Sequence, residues 1–222
     1  MHATAPITVE IWSDLVCPWC YLGRARFEVA LEAFEHRDAV TVAHRSFELD
    51  PTTPVGVTTT LMDHLTSRFG SAERVVAGEE RLIQLTGEVG LGYRIDRLHG
   101  NTFDAHRLIQ LGAERGLGEA TLTALYRTNF AEGRSIFDVE SLVAVAVEVG
   151  LDPAEARDVL GSTAYAEPVR ADEALAGQLG ISGVPFFVID RRYGISGAQP
   201  VETLASVLDT VWAERLEGAP EA

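Results

Sequence analysis

Cys17 and Cys20 are the chain's only cysteines, and they stand where a strand-like run gives way to a helical one. Ile7-Thr8-Val9-Glu10-Ile11 alternates apolar and polar residues, the period of a strand. Beyond the cysteines, Leu22, Phe27, Ala30, Leu31 and Phe34 recur at helical spacing, which predicts a helix over 18–36. Pro18 suits the first turn of that helix, because its missing N–H would have had no intrahelical partner. Cys17 then falls at the N-cap, and its sulfur is expected to face the free N–H groups of Trp19 and Cys20 and the positive end of the helix dipole. Both favour a thiolate. Cys20, one turn on, is placed to resolve a mixed disulfide formed at Cys17. Trp19 lies between them, where it covers the site or meets the substrate.

Two bland readings compete with redox chemistry. A half zinc site is one, but zinc normally takes four ligands and the chain has no second cysteine pair. A pair of inert buried thiols is the other, and thiols at a helix N-terminus are seldom inert. With two cysteines a disulfide scaffold is excluded.

Residues 40–47 read as a second strand, so the opening is β-α-β with parallel strands and a right-handed crossover. A turn-rich stretch over 51–56 follows. From 61 to 160 the spacing is helical, with no strand evident. Asn101 or Thr102 is a candidate helix cap, and Asp152-Pro153-Ala154-Glu155 is a helix start. Pro185-Phe186-Phe187-Val188-Ile189 suits a strand buried on both faces. Tyr193-Gly194-Ile195 reads as its antiparallel return, after a solvated turn at Arg191-Arg192, and a closing helix carries Leu204 and Leu208. The expected architecture is an α/β frame over 1–57 and 161–222, with a helical domain inserted over 58–160. The tail 217–222 is expected to fray.

All 18 basic residues are arginine, against 33 acidic ones, giving a net charge of −15. That excludes a Schiff-base or phosphate-loop lysine, and it argues against nucleic acid or an anionic membrane as a partner. No apolar run approaches the about 18 residues needed to span a bilayer. Met1–Pro6 has neither a basic nor an apolar leader region, which predicts a cytoplasmic protein.

With Cys17-Pro18-Trp19-Cys20 set after the first strand and Gly183-Val184-Pro185 opening a buried one, the chain resembles the thioredoxin fold. More narrowly it is similar to DsbA-family oxidoreductases of the FrnE-like subgroup. The resemblance runs over essentially the whole length. It rests also on Ser13-Asp14, Phe47-Glu48-Leu49, Asn101-Thr102 with Ala105-His106-Arg107-Leu108, and Ser196-Gly197-Ala198-Gln199-Pro200. It implies a thioredoxin-like fold with the helical domain inserted between the second and third strands. It implies thiol–disulfide exchange with protein or small-thiol substrates, a cis Val184–Pro185 bond, and a Val184 backbone that pairs with substrate. Glutathione is the candidate co-substrate, and no metal or other cofactor is expected. Trp19 departs from the histidine found in many relatives, which stabilises a thiolate by charge where tryptophan does not. Asp14 is open to two readings, proton relay to Cys20 or turn residue. For His106 the choice is between a satisfied interior residue and a cleft-lining one, and for Asn101 between a cap and a substrate ligand. The competing function is that of a glutathione-dependent isomerase similar to 2-hydroxychromene-2-carboxylate isomerase, whose relatives put serine at the position of Cys17. A chaperone-like binding module is a third class.

Overall fold

The structure, a computed structural model, describes residues 6–217. Of the leader region over 1–6 and the tail over 217–222, residues 1–5 and 218–222 lie outside the described residues, while Glu217, expected to fray, is the last residue of the closing helix. Strand β1 (Ile7–Ser13) leads into helix α1 (Pro18–Ala33), a short 3-10 turn over Arg37–Ala39, and strand β2 (Val40–Ser46). Helix α1 therefore stops short of 36, and Phe34 N–H caps it by donating to the Leu31 carbonyl. β1 and β2 are parallel, in register from Ile7 opposite Val40 to Ser13 opposite Ser46.

Strand β3 (Thr58–Thr60) precedes the stretch over 61–160 that reads as wholly helical, and α2 (Leu61–Phe69), α3 (Ala72–Glu88) and a strand inside it, β4 (Leu98–Gly100), follow. β3 and β4 pair antiparallel as a separate two-stranded ribbon. Three residues per strand are too few to show an alternation, so the period of the sequence hides them. Helices α4 (Phe103–Glu114) and α5 (Gly118–Tyr126), a π-helical turn over Arg127–Ala131, α6 (Val139–Glu148), α7 (Pro153–Leu160) and α8 (Ala166–Gln178) follow. Asp138 caps α6 through Ser141 N–H, and Asp152 caps α7 through the Ala154 and Glu155 N–H groups.

The chain returns to the sheet with β5 (Phe186–Ile189) and β6 (Tyr193–Ser196), and ends in α9 (Val201–Glu217). β5 runs antiparallel to β1 and to β6, so the main sheet has the order β2-β1-β5-β6. This βαβ-ββα arrangement is the thioredoxin-like frame, and its third strand, β5, follows the helical stretch.

Three apolar clusters hold the molecule together. Ile7, Val9 and Ile11 meet Phe27, Phe187, Leu204 and Leu208 between the sheet, α1 and α9. Trp12 and Val188, on the sheet's other face, meet Ala176 and Ile181 at the end of α8. The largest cluster joins Leu108, Leu111, Leu125, Phe130 and their helical neighbours to Leu15, Cys17, Cys20 and Tyr21.

The arginine turn is not simply solvated. Arg191 pairs with buried Glu10, and Arg192 pairs with Glu214. Arg45 also holds Glu10, at 2.7 Å, and reaches Asp172 at 3.0 Å. Burial pushes the Glu10 carboxyl up, but Arg191 and Arg45 outweigh it and hold the group below its usual range. A charge on the inner face of β1 needs such partners, and the sequence gives no sign of where they come from.

Candidate functional site

Cys17 is the N-cap of α1 and Pro18 its first residue, as the sequence predicts. The sulfur, however, makes no cap hydrogen bond. Cys20 N–H instead donates to the Cys17 carbonyl at 3.1 Å, and the Cys17 thiol points across the site to the Val184 carbonyl at 3.5 Å. The expected contact of sulfur with the Trp19 and Cys20 amides is replaced by one with the loop before β5. That loop carries a cis Val184–Pro185 peptide bond.

Glycine at position 23 lets the two segments meet. A Cβ there would lie 2.9 Å from Pro185 Cγ and 3.3 Å from Ala198 Cα. No sequence signal separates this glycine from one that merely weakens a helix.

Both cysteines are free thiols. Cys17 is 4% exposed and Cys20 is fully buried, while Trp19 beside them is 43% exposed. Burial pushes the Cys20 thiol up strongly, and the adjoining Cys17 adds to this. Asp14 N–H donates to Cys20 Sγ at 3.5 Å, which works the other way, while the Asp14 charge raises the thiol further.

Asp14 is a turn residue and something more. Its carbonyl accepts Cys17 N–H at 3.2 Å. Its carboxylate accepts Val16 N–H at 3.4 Å and Leu49 N–H at 2.7 Å, the second tying the dithiol loop to the segment after β2. His106 Nε2 stands 3.7 Å from Asp14 Oδ1, with both side chains buried. Asn101 behaves as a cap, its Oδ1 accepting Phe103 N–H at 2.9 Å. Its Nδ2 also donates to Glu48 and to the Thr53 carbonyl, both at 3.0 Å. Thr102 makes no side-chain cap. Burial, with help from Glu173, holds the Glu48 carboxyl above its usual range despite its 2.6 Å pair with Arg170. Tyr126 and Asn129 complete the floor, donating to the Asp14 and Leu15 carbonyls.

A cavity of about 230 Å³ opens beside the dithiol, with Val16 and Pro18 in its wall. Leu49, Leu61, Leu65 and Phe69 supply its apolar surface, and Arg68 stands among them. His64 and His99 stack in it with centroids 3.5 Å apart, although 35 residues separate them in sequence (99 − 64 = 35). Burial, and then the facing His64, push His99 down to about 4. Neither histidine stood out in the sequence, since a helix and a three-residue strand bring them together. Among the described residues no cluster of His, Cys, Asp or Glu side chains is built to hold a metal ion. No helix among them is long and apolar enough to cross a membrane.

The arrangement joins a thiol at the front of α1 that keeps 4% of its surface exposed, a second thiol fully buried behind it, and a backbone carbonyl facing the first. Three solved structures resemble the whole chain. A probable DsbA oxidoreductase, SCO1869 from Streptomyces coelicolor, is 54% identical with a TM-score of 0.92, covering 97% of this chain and 93% of its own. The cytosolic disulfide reductase DsbM from Pseudomonas aeruginosa, solved with GSH, is 25% identical with a TM-score of 0.63, covering 93% and 99%. A 2-hydroxychromene-2-carboxylate isomerase shares the fold at 14% identity and a TM-score of 0.71, covering 96% and 100%. Residues 8–209 match the DSBA-like thioredoxin domain, and the chain belongs to that family.

Proposed function

We propose that the protein is a thiol–disulfide oxidoreductase in which Cys17 exchanges with substrate and Cys20 resolves. The observation that carries this reading is the placement of the two sulfurs. Cys17 lies at the front of α1 facing the Val184 carbonyl, and Cys20 is buried one turn behind it. The Cys20 thiol, pushed up by burial, stays protonated until a mixed disulfide forms at Cys17. Cys17 thiolate attacks a substrate disulfide R–S–S–R′, forming Cys17–S–S–R and releasing R′–S⁻. Cys20 then loses its proton and attacks Cys17 Sγ, closing the Cys17–Cys20 disulfide and releasing R–S⁻. Two electrons pass to the substrate, and a thiol such as glutathione restores the dithiol. Trp19, Val184 and Pro185 form the rim against which the substrate lies, and Asp14, whose N–H meets Cys20 Sγ, serves as the proton relay.

The DsbM relative, a cytosolic disulfide reductase solved with GSH, supports a cytoplasmic, glutathione-coupled role. Protein or small-molecule disulfides are the substrates on this reading. Glutathione disulfide added to a Cys20→Ser variant should leave a stable glutathionyl adduct on Cys17, read by mass spectrometry. A Cys17→Ser variant that keeps full reductase activity would overturn the assignment.

The apolar cavity beside Pro18 favours one second reading, a glutathione-dependent isomerase acting on a small aromatic. Isomerisation that survives Cys20→Ala would favour it, and binding without isomerisation would count against it.

A further inference from the structure

Behind Cys20 the buried groups form a line that ends on a nitrogen with nothing to bind. Asp14 holds Cys20 Sγ through its own N–H, and its side chain is 1% exposed. His106, on α4, faces the Asp14 carboxylate from the helical cluster, with its side chain 3% exposed. Its Nε2 is buried, lies 3.7 Å from Asp14 Oδ1, and has no hydrogen-bond partner. A buried polar nitrogen left bare is costly, so its persistence at this place calls for a use. In the tautomer with its hydrogen on Nδ1, Nε2 is a vacant acceptor aimed at a carboxylate.

We propose that His106 is the positioning residue of the resolving step, holding the proton that Cys20 gives up and that Asp14 relays. The inference rests on the disulfide-exchange reading above. Cys20 S–H passes its proton to the Asp14 carboxylate, and Asp14 passes it to His106 Nε2 across a gap that one water or a small approach closes. Cys20 thiolate then attacks Cys17 Sγ, the Cys17–S–S–R bond breaks, and the departing R–S⁻ takes up a proton from solvent. The proton on His106 leaves in turn, so the cycle balances. Resting the proton on His106 returns Asp14 to the carboxylate that the Val16 and Leu49 amides are placed to bind. It also places an imidazolium against that carboxylate, so two adjoining anions are never buried alone.

The charged and titratable groups around this pair come from several elements. Glu48, after β2, faces His106 and is tied to Arg170 and Glu173 of α8. His99 of β4 faces Asp14 from the cavity side. Tyr126 of α5 holds the Asp14 carbonyl. Burial keeps the Cys20 thiol high, so without an acceptor its attack depends on hydroxide.

An aryl disulfide that releases a coloured thiol, followed by stopped flow, separates the two steps. The first burst reports Cys17 attack, and the second reports attack by Cys20. In wild-type protein the second phase should not track hydroxide through the alkaline range, because the proton goes to a fixed base in the protein. In His106→Gln it should fall at least about fivefold relative to the first phase at pH 7, and climb steadily through the alkaline range. In the double variant Asp14→Asn/His106→Gln the second phase should be no slower than in Asp14→Asn alone, because one residue acts through the other. A wild-type second phase that rises in proportion to hydroxide through the alkaline range overturns the proposal with no variant needed. So do equal losses in both phases of His106→Gln, or additive losses in the double variant. Absence of the first burst would instead sink the disulfide-exchange reading itself.

Discussion

The first turn of α1 and its last two turns are packed by different parts of the chain. Cys20 and Tyr21 sit in a cluster with Leu108, Leu125 and Phe130, contributed by α4, α5 and the π-helical turn. Phe27, Ala30 and Phe34 sit in another, with strand residues Val9 and Phe187 and with Leu208 of α9. The strand–helix junction at Ser13–Pro18 thus belongs to the sheet by its connectivity and to the inserted helices by its packing. The environment of the buried sulfur is set by the helices, while the sheet carries the loop that Cys17 faces.

The largest test of that separation compares two leucines. Leu108 and Leu208 are both fully buried, one in each cluster. Truncating either to alanine should cost about 2–5 kcal/mol in urea unfolding, since each leaves a cavity. Only Leu108→Ala should also loosen the wall behind Cys20. In a Cys17→Ser background, alkylation of Cys20 should therefore speed up with Leu108→Ala and stay unchanged with Leu208→Ala. Equal acceleration by both would mean that the two clusters open as one unit.

Acid should separate the same two regions. His99 is held down to about 4 by burial and by His64, with Arg97 adding and Asp14 and Asp50 opposing. The unfolded chain takes up its proton near the usual 6.5, and the folded chain only near 4. Stability from this residue is therefore complete above 6.5 and is lost as pH falls to about 4; that gap is equivalent to about 3 kcal/mol, and the ring's partial exposure brings the expected loss to about 2 kcal/mol. His99→Gln should flatten the stability profile across that window. Hydrogen exchange in wild-type protein should quicken first in α2 and β4, before the main sheet. Superposable profiles for the two proteins would remove His99 as the acid-sensitive group.

The joint between the regions is Gly23. With alanine there, either Pro185 or the helix must give way, because the added carbon would sit 2.9 Å from the ring and 3.3 Å from the Ala198 backbone. The Val184 carbonyl should move away from Cys17, and kcat/KM for disulfide reduction should drop about tenfold, equivalent to roughly 1.4 kcal/mol in the barrier. The midpoint of thermal unfolding should change much less. Retained kcat/KM would show that this contact has slack.

How much of this was legible in the sequence depends on the range of the signal. β1 and α1 announce themselves by period and β5 by its continuous apolar run, and the cap at Asp152 follows a local rule; the cap at Asp138 emerges only in the structure. The dithiol stands out because its residue types and its strand–helix junction are local too. What the sequence hid is long-range. Glu10 reads as the polar side of an alternating strand, and only the folded chain brings Arg45 and Arg191 to it. Arg191-Arg192 reads as a solvated turn for the same reason. The Cys17 sulfur seemed bound for its own helix's amides, because the Val184 carbonyl is 167 residues away along the chain. β3 and β4, at three residues each, are too short to show the alternation that would reveal them.

The smallest effect probes the seam itself. Glu119, on α5, pairs with Arg24 of α1 and with His44 of β2 at 2.6 Å, so it links the helical cluster to the sheet. Burial pushes its carboxyl up, but His44 and Arg24 outweigh this and bring it to about 2. Its contribution is thus present above about 4.5 and is lost as pH falls through about 2. The side chain is 58% exposed, so water and salt weaken the pair. Glu119→Gln should lower stability by only about 0.5 kcal/mol at pH 7, less in high salt, with the difference fading below 4.5. A loss several times larger would mean that the two regions are locked at this point. The leucine pair would then no longer report separate environments, and the redox step would have to be understood as a property of the whole molecule.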